Sequence, residues 1–246
     1  MFKVCHKTDI GLVRETNQDT CESGLTSSGI AWAVVCDGMG GANGGNVASS
    51  IAVETIVRQY HTFFQSDQSH ADDSAVRNLM VSAIHQASTA IFERSHAEKS
   101  LSGMGTTVVS AIVSNSVAHI AHAGDSRAYL ITPDSAKQVT TDHSMVQELV
   151  DSGNLTEQEA KVHPQKNIIT RALGIEPSVM VDYNEFPFEG RSVLVLCTDG
   201  LSNYIETNEL YTFSQKYGGQ ELAEQLIGKA KDGGGSDNIT VAIVED

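Results

Sequence analysis

Basic residues are scarce. Sixteen Lys and Arg stand against 31 Asp and Glu, a formal net charge of −15. Such a chain repels polyanions, which argues against nucleic-acid binding and adsorption to acidic lipid. A phosphorylated substrate would be repelled as well, so phosphate chemistry here requires a concentrated local source of positive charge. Cysteine is also sparse. Cys5, Cys21, Cys36 and Cys197 are far apart and form no C-x-x-C pair, the usage of a reduced, cytoplasmic protein. Proline occurs four times, and there is no Pro- or Ser-rich linker, low-complexity tract or repeat of fixed period. One domain spanning 1–246 is the simplest expectation, with a monomer as default. Long apolar runs are missing too: the longest is 30–36, far short of the ~18 residues of a membrane span. Residues 1–7 lack the apolar core of a signal peptide.

What is present is globular, with 40% hydrophobic residues in 246. Strands and helices fall in blocks, which points to an α+β fold. Residues 30–36 read as a strand buried on both faces. Ala48, Ile51, Ala52, Thr55, Ile56 and Tyr60 recur at helical spacing over 46–64. A polar stretch at 66–73 precedes a second helix with a stripe from Val76 to Ile91. Residues 106–113, 116–123 and 127–132 predict a meander of strands, with Ser114-Asn115 as its first turn. Short helices follow at 144–152 and 156–161, the second opening with a capping box of Thr156 and Glu159. Strands are expected at 179–183, 193–197 and 239–244, and helices at 207–213 and 219–231. The polar helical segment 145–166 interrupts the strand-rich region and reads as a flap.

Several Asp residues stand at the end of apolar runs, each followed by a small residue. They are Asp37-Gly38 after Val34-Val35-Cys36, Asp125-Ser126 after His122-Ala123-Gly124, and Asp199-Gly200 after Leu196-Cys197-Thr198. A carboxylate at a buried strand tip is rigidly held, and Gly lets the backbone turn and expose a carbonyl. Asp237-Asn238 enters the last strand from Gly233-Gly234-Gly235-Ser236. Asp-Gly is a common turn pair, so any one of these is ordinary. Converging as a set, they would repel one another unless a cation neutralised them. Oxygen ligands without His or Cys select Mg²⁺ or Mn²⁺ over Zn²⁺. Ser126, between small residues after a strand, offers a competing chemistry, a serine esterase served by His143 or His163. His119 and His122 point to opposite faces of a strand and form no metal pair. The glycine-rich loop 37–45 lacks the residues of a nucleotide-binding motif.

The segments Thr8-Asp9-Ile10-Gly11, Arg14 to Asp19, Asp37-Gly38-Met39-Gly40-Gly41 and Gly105-Thr106-Thr107 open an ordered series. It continues through Gly124-Asp125-Ser126-Arg127, Asp142-His143-Ser144, Thr170-Arg171-Ala172-Leu173-Gly174, Thr198-Asp199-Gly200-Leu201 and Asp237-Asn238-Ile239-Thr240. In order and spacing the series resembles the PP2C (PPM) family of metal-dependent protein Ser/Thr phosphatases, in its compact bacterial form, over nearly the whole chain.

The resemblance implies an α-β-β-α sandwich, two packed antiparallel sheets flanked by helices on both outer faces. It implies two Mn²⁺ or Mg²⁺ ions bridged by Asp37. Asp199 and Asp237 would bind the first, the Gly38 carbonyl the second, and Asp19 would act through metal-bound water. Asp125 matches the place of a third, weaker ion, Arg14 the phosphate-binding arginine, and 145–166 the flap. Hydrolysis of phosphoserine and phosphothreonine would proceed by direct attack of a metal-bridging hydroxide without a phosphoenzyme. The implied partners are phosphorylated proteins, substrates of a bacterial Ser/Thr kinase. A catalytically silent phospho-regulatory module is a further alternative, disfavoured because every expected acidic ligand is present. Met39 replaces a His that eukaryotic relatives place after the bridging Asp-Gly, so leaving-group protonation falls to a metal-bound water. Gln18 stands at a position acidic in some relatives, which leaves the second ion fewer charged partners.

Overall fold

Side chains alternate across Ala31–Met39, and both faces of this strand are apolar. Trp32, Val34 and Cys36 face one core, while Ala31, Ala33 and Val35 face another, as expected of a strand covered on both sides. The computed structural model describes residues 2–40, 44–65 and 72–246. In chain order the strands are β1 (Lys3–Asp9), β2 (Asp19–Leu25), β3 (Ala31–Met39), β4 (Gly105–Thr106), β5 (Val108–Ser114), β6 (Val117–Ala123), β7 (Arg127–Ile131), β8 (Ala136–Gln138), β9 (Asp182–Pro187), β10 (Val193–Cys197) and β11 (Ile239–Glu245). The helices are α1 (Gly45–Gln65), α2 (Asp73–Ala97), α3 (Met145–Asp151), α4 (Glu157–Lys161), α5 (Asp199–Ser202), α6 (Thr207–Ser214) and α7 (Gly219–Asp232).

Two antiparallel sheets result, one ordered β1-β11-β10-β7-β8 and the other β2-β3-β5-β6-β9, with β4 paired to the end of β3. Between them lies a core of small and branched residues, among them Ala31, Ala33, Ala111, Ala118, Ala128 and Ala242. The outer face of the second sheet is covered by α1 and α2 through Ala48, Ala52, Ile56, Tyr60, Met80, Ile84 and Ile91. The first sheet is covered by α5, α6 and α7 through Leu201, Leu210, Leu222, Leu226 and Ile227. The α+β sandwich is therefore the observed architecture.

Boundaries differ from the sequence expectation where tertiary pairing overrides local signals. The strand expected over 30–36 runs on to Met39, because Gly38 and Met39 pair with Thr106 and Gly105. Asp37 is thus held inside a strand. Asp199 opens the short helix α5, where a turn was expected. The β5–β6 turn falls on Asn115 and Ser116, both with positive φ, one residue later than expected and in the manner of a hairpin turn matched to strand twist. The strand expected over 179–183 forms instead at Asp182–Pro187. β1, β2 and β8 carry too much polar surface to stand out, yet each is paired. The Thr156–Glu159 capping box at α4 is present on both sides. Gly41, Ala42, Asn43 and 66–71, including His70 and most of the expected polar connection, lie outside the described residues.

Candidate active site

Four chain segments end at one edge of the sandwich, and their carboxylates share a cleft of about 520 Å³. Asp37, Gly38, Asp125, Asp199 and Asp237 line it with Arg14, Glu15, Met39, Thr107 and Asn238. Asp37 is positioned from both sides of its peptide unit. Its N–H donates to Thr107 Oγ1 at 3.0 Å, and its carbonyl accepts from Thr107 N at 2.9 Å and Thr106 Oγ1 at 2.8 Å. At Gly38 a side chain would collide with the carbonyls of Gly45 and Gln18. Only Gly allows β3 to pass that closely, where its own N–H donates to Gln18 O at 3.1 Å.

Asp19 pairs with Asp37 across β2 and β3 but does not line the cleft. It is 7% exposed and bridges the two sheets, accepting from Thr198 Oγ1 at 2.9 Å. Thr198 Oγ1 in turn accepts from Thr240 N at 3.1 Å. Asp199 Oδ2 accepts from Asn203 Nδ2 at 3.2 Å. Asp237 Oδ2 lies 2.6 Å from Arg14 Nη2, so the expected phosphate-binding arginine and an expected metal ligand are neighbours. Asn238 ties this corner together: its Nδ2 donates to Ile10 O and Thr16 O, both at 3.0 Å, and its Oδ1 accepts from Gln18 N at 2.8 Å.

The electrostatics of this cluster are those of a cation site. Burial raises the Asp19 carboxyl to about 7, with Asp199 and Asp237 adding to the rise. Asp125 is raised to about 7, by burial and then by Asp199. Burial lifts Asp37 well above the ordinary range, aided by Asp19, Asp199, Asp125 and Asp237. Asp199 is raised too, by burial and then by Asp237. Two buried carboxylate oxygens, Asp19 Oδ1 and Asp199 Oδ1, have no hydrogen-bond partner. Unpaired buried acceptors surrounded by like charge are costly unless a cation receives them, and the donors are all oxygen. The site fits divalent cations of the Mg²⁺ or Mn²⁺ type.

A profile of the family described as "Protein phosphatase 2C" matches residues 13–226. The chain belongs to the protein phosphatase 2C family. The chain is 37% identical over 240 residues to a serine/threonine phosphatase stp of Listeria welshimeri, covering 97% of this chain and 94% of that one. Its fold matches a serine/threonine phosphatase of S. agalactiae with a TM-score of 0.90 at 33% identity, covering 99% of each chain. It also matches the catalytic domain of a phosphatase PstP solved with two manganese ions, with a TM-score of 0.82 at 29% identity, covering 99% of this chain and 97% of that one.

Other residues singled out in the sequence resolve differently. Ser126 is buried and hydrogen-bonded to Thr107 Oγ1 at 2.6 Å, a structural hydroxyl with no imidazole bonded to it among the described residues. His143 instead accepts from Gly124 N at Nδ1, and the half-buried His163 accepts from Gln165 N at Nδ1. His122, His143 and Asp182 do gather within reach of a common point. The two imidazoles, however, stack at an interplanar angle of 9°, so their in-plane lone pairs do not converge. Arg171 Nη1 already sits 2.6 Å from Asp182 and 3.0 Å from His143 Nε2. No His lines the cleft among the described residues, in keeping with Met39 where a proton donor would stand.

Thr107, Thr198 and Asn238 hold the site together, and sequence reasoning assigned none of them a role. Two of them carry a weak but physical signal, a short polar side chain next to a strand-end Asp, as in Thr198-Asp199 and Asp237-Asn238; Thr107, between β4 and β5, has no such neighbour.

Proposed function

We propose that this chain is a metal-dependent protein serine/threonine phosphatase, a single domain of the protein phosphatase 2C type that hydrolyses phosphoserine and phosphothreonine in proteins without a phosphoenzyme. The carrying observation is the convergence of Asp37, Asp125, Asp199 and Asp237 on one cleft, backed by Asp19, with buried carboxylate oxygens left unpaired. Asp37, the Gly38 carbonyl, Asp199 and Asp237 would hold two Mn²⁺ or Mg²⁺ ions, with Asp125 serving a third, weaker one and Asp19 acting through water. When bound, such ions acidify water to a nucleophile and neutralise charge on the phosphoryl group. That supplies the concentrated positive charge which a chain of net charge −15 otherwise lacks.

Arg14 would orient the phosphoryl group with its planar fork. It starts beside Asp237 at the cleft wall, so substrate and carboxylate compete for one guanidinium. Thr107 anchors the backbone of Asp37 at the cleft, and Thr198 holds the Asp19 carboxylate behind it. Among the described residues, no Ser, Thr or Cys lining the cleft is paired with a base, which supports direct hydrolysis rather than a covalent intermediate. The physiological substrates in this reading are proteins phosphorylated by a Ser/Thr kinase.

The deciding experiment is phosphate release from a phosphothreonine peptide, with and without added Mn²⁺. Wild type should require the metal, and Asp199→Asn should lose at least about a hundredfold. Full activity in the presence of a chelator, or an unimpaired Asp199→Asn, would overturn the reading.

A further inference from the structure

Large exposed apolar side chains are few among the described residues, and three of them closely precede the cleft-lining Arg14. Of the eight large ones among the described residues, Ile10, Leu12 and Val13 lie within the four residues before Arg14, and Ile168 stands between the cleft-lining Asn167 and Ile169. Leu12 is 61% and Val13 66% exposed. These are not the tips of a loose loop. Leu12 N donates to Gly235 O at 2.7 Å, Gly11 N to Asp9 Oδ1 at 2.9 Å, and Asn238 Nδ2 holds the carbonyls of Ile10 and Thr16. Gly11 has φ +80, and a side chain there would strike the Asp237 carbonyl. Ile168 O likewise accepts from Met145 N at 2.9 Å. A tethered backbone thus presents branched apolar groups to water beside Arg14, where collapse onto the protein would have hidden them.

We propose that Leu12 and Val13, next to Arg14, form an apolar lip that docks an apolar side chain flanking the phosphorylated residue of a protein substrate. The inference rests on the phosphatase reading and names its substrate class: phosphoproteins with Leu-, Ile- or Val-type residues beside the phosphosite. Continuity decides the occupant. The lip runs without interruption into Arg14, Glu15 and Thr16, which line the cleft, so a peptide whose phosphoryl group lies on Arg14 has its flanking residues within reach of it. Contacts of this kind are also insensitive to the protein's large negative charge, which would repel acidic flanking sequence.

The test uses matched phosphothreonine peptides carrying Leu or Ser at the residues immediately before and after the phosphosite, with p-nitrophenyl phosphate as a substrate too small to reach the lip. Wild type with Mn²⁺ should prefer Leu at one of these positions by about tenfold in kcat/KM. Val13→Ser and the Leu12→Ser/Val13→Ser double variant should lower that preference to about twofold or less. Val13→Ile should keep it, and p-nitrophenyl phosphate turnover should be unchanged in all three. Absence of the preference in wild type, its survival in the double variant, or a parallel loss of small-substrate turnover would each overturn the inference. A wild type inactive on both substrates would instead sink the phosphatase reading beneath it.

Discussion

Four aspartates of the cluster titrate in the company of others. Asp19 and Asp125 are held at about 7, and Asp37 and Asp199 are also raised. An aspartate in the unfolded chain loses its proton near 4. Between these limits the native state holds more protons than the unfolded one, so stability falls as pH rises. Without metal, the contribution of these groups is complete below about pH 4 and is lost as pH climbs through about 7. Thermal denaturation of the metal-free protein should show this as a melting temperature that drops from pH 5 to pH 8. Added Mn²⁺ should reverse the drop, most strongly at pH 8, and Asp37→Asn should flatten the slope while abolishing phosphatase activity. Identical pH slopes for wild type and Asp37→Asn would contradict the assignment.

At the scale of elements, the flap is an excursion from a closed root. Met145 N donates to Ile168 O, Thr170 N to His143 O, and Ser144 bridges to Ile169. Beyond that root, α3 and α4 bury little, Val146 alone being buried between them. An ion pair joins α4 to the rest of the protein, Lys161–Glu206 at 2.6 Å, exposed on both sides and worth at most about 1 kcal/mol. Excising 146–166 with a short link across the root should leave turnover of p-nitrophenyl phosphate close to wild type while changing preference among phosphopeptides. Equal loss on both substrates would mean that the flap supports the chemistry itself. The root also explains the place of His143. Its backbone joins Gly124 to Thr170, so the Asp125 turn and the flap exit are spaced by one residue.

For the molecule as a whole, the spacing of the two sheets sets the site. Asp19 comes from β2 and its partner Thr198 follows β10 in the opposite sheet, and between those sheets lies the alanine-rich core. Ala33 is fully buried there. Ala33→Leu should force the layers apart, cost about 1–3 kcal/mol in urea denaturation, and weaken Mn²⁺ binding although the residue does not line the cleft. Undiminished metal affinity in a measurably destabilised variant would show that the sheets tolerate the change without moving the carboxylates.

Much of this was legible beforehand because the signals are local. Helical spacing marks α1, α2 and α7, the Thr156 and Glu159 pair marks α4, and an Asp closing an apolar run marks Asp37 and Asp199. The half-polar strands β1 and β2 were not legible, since a strand with one wet face is decided by its partner rather than by its own composition. The continuation of β3 through Asp37 likewise depends on β4, some seventy residues away in the chain. By itself, then, the order of residues singled out the aspartates that line the cleft, Asp37, Asp125, Asp199 and Asp237. Only the tertiary structure decided that Asp19 withdraws behind the cleft, that Ser126 is a strut for Thr107, and that Arg14 meets Asp237. The reason is that those outcomes are distances between segments remote in sequence, which the packing of two sheets alone can establish.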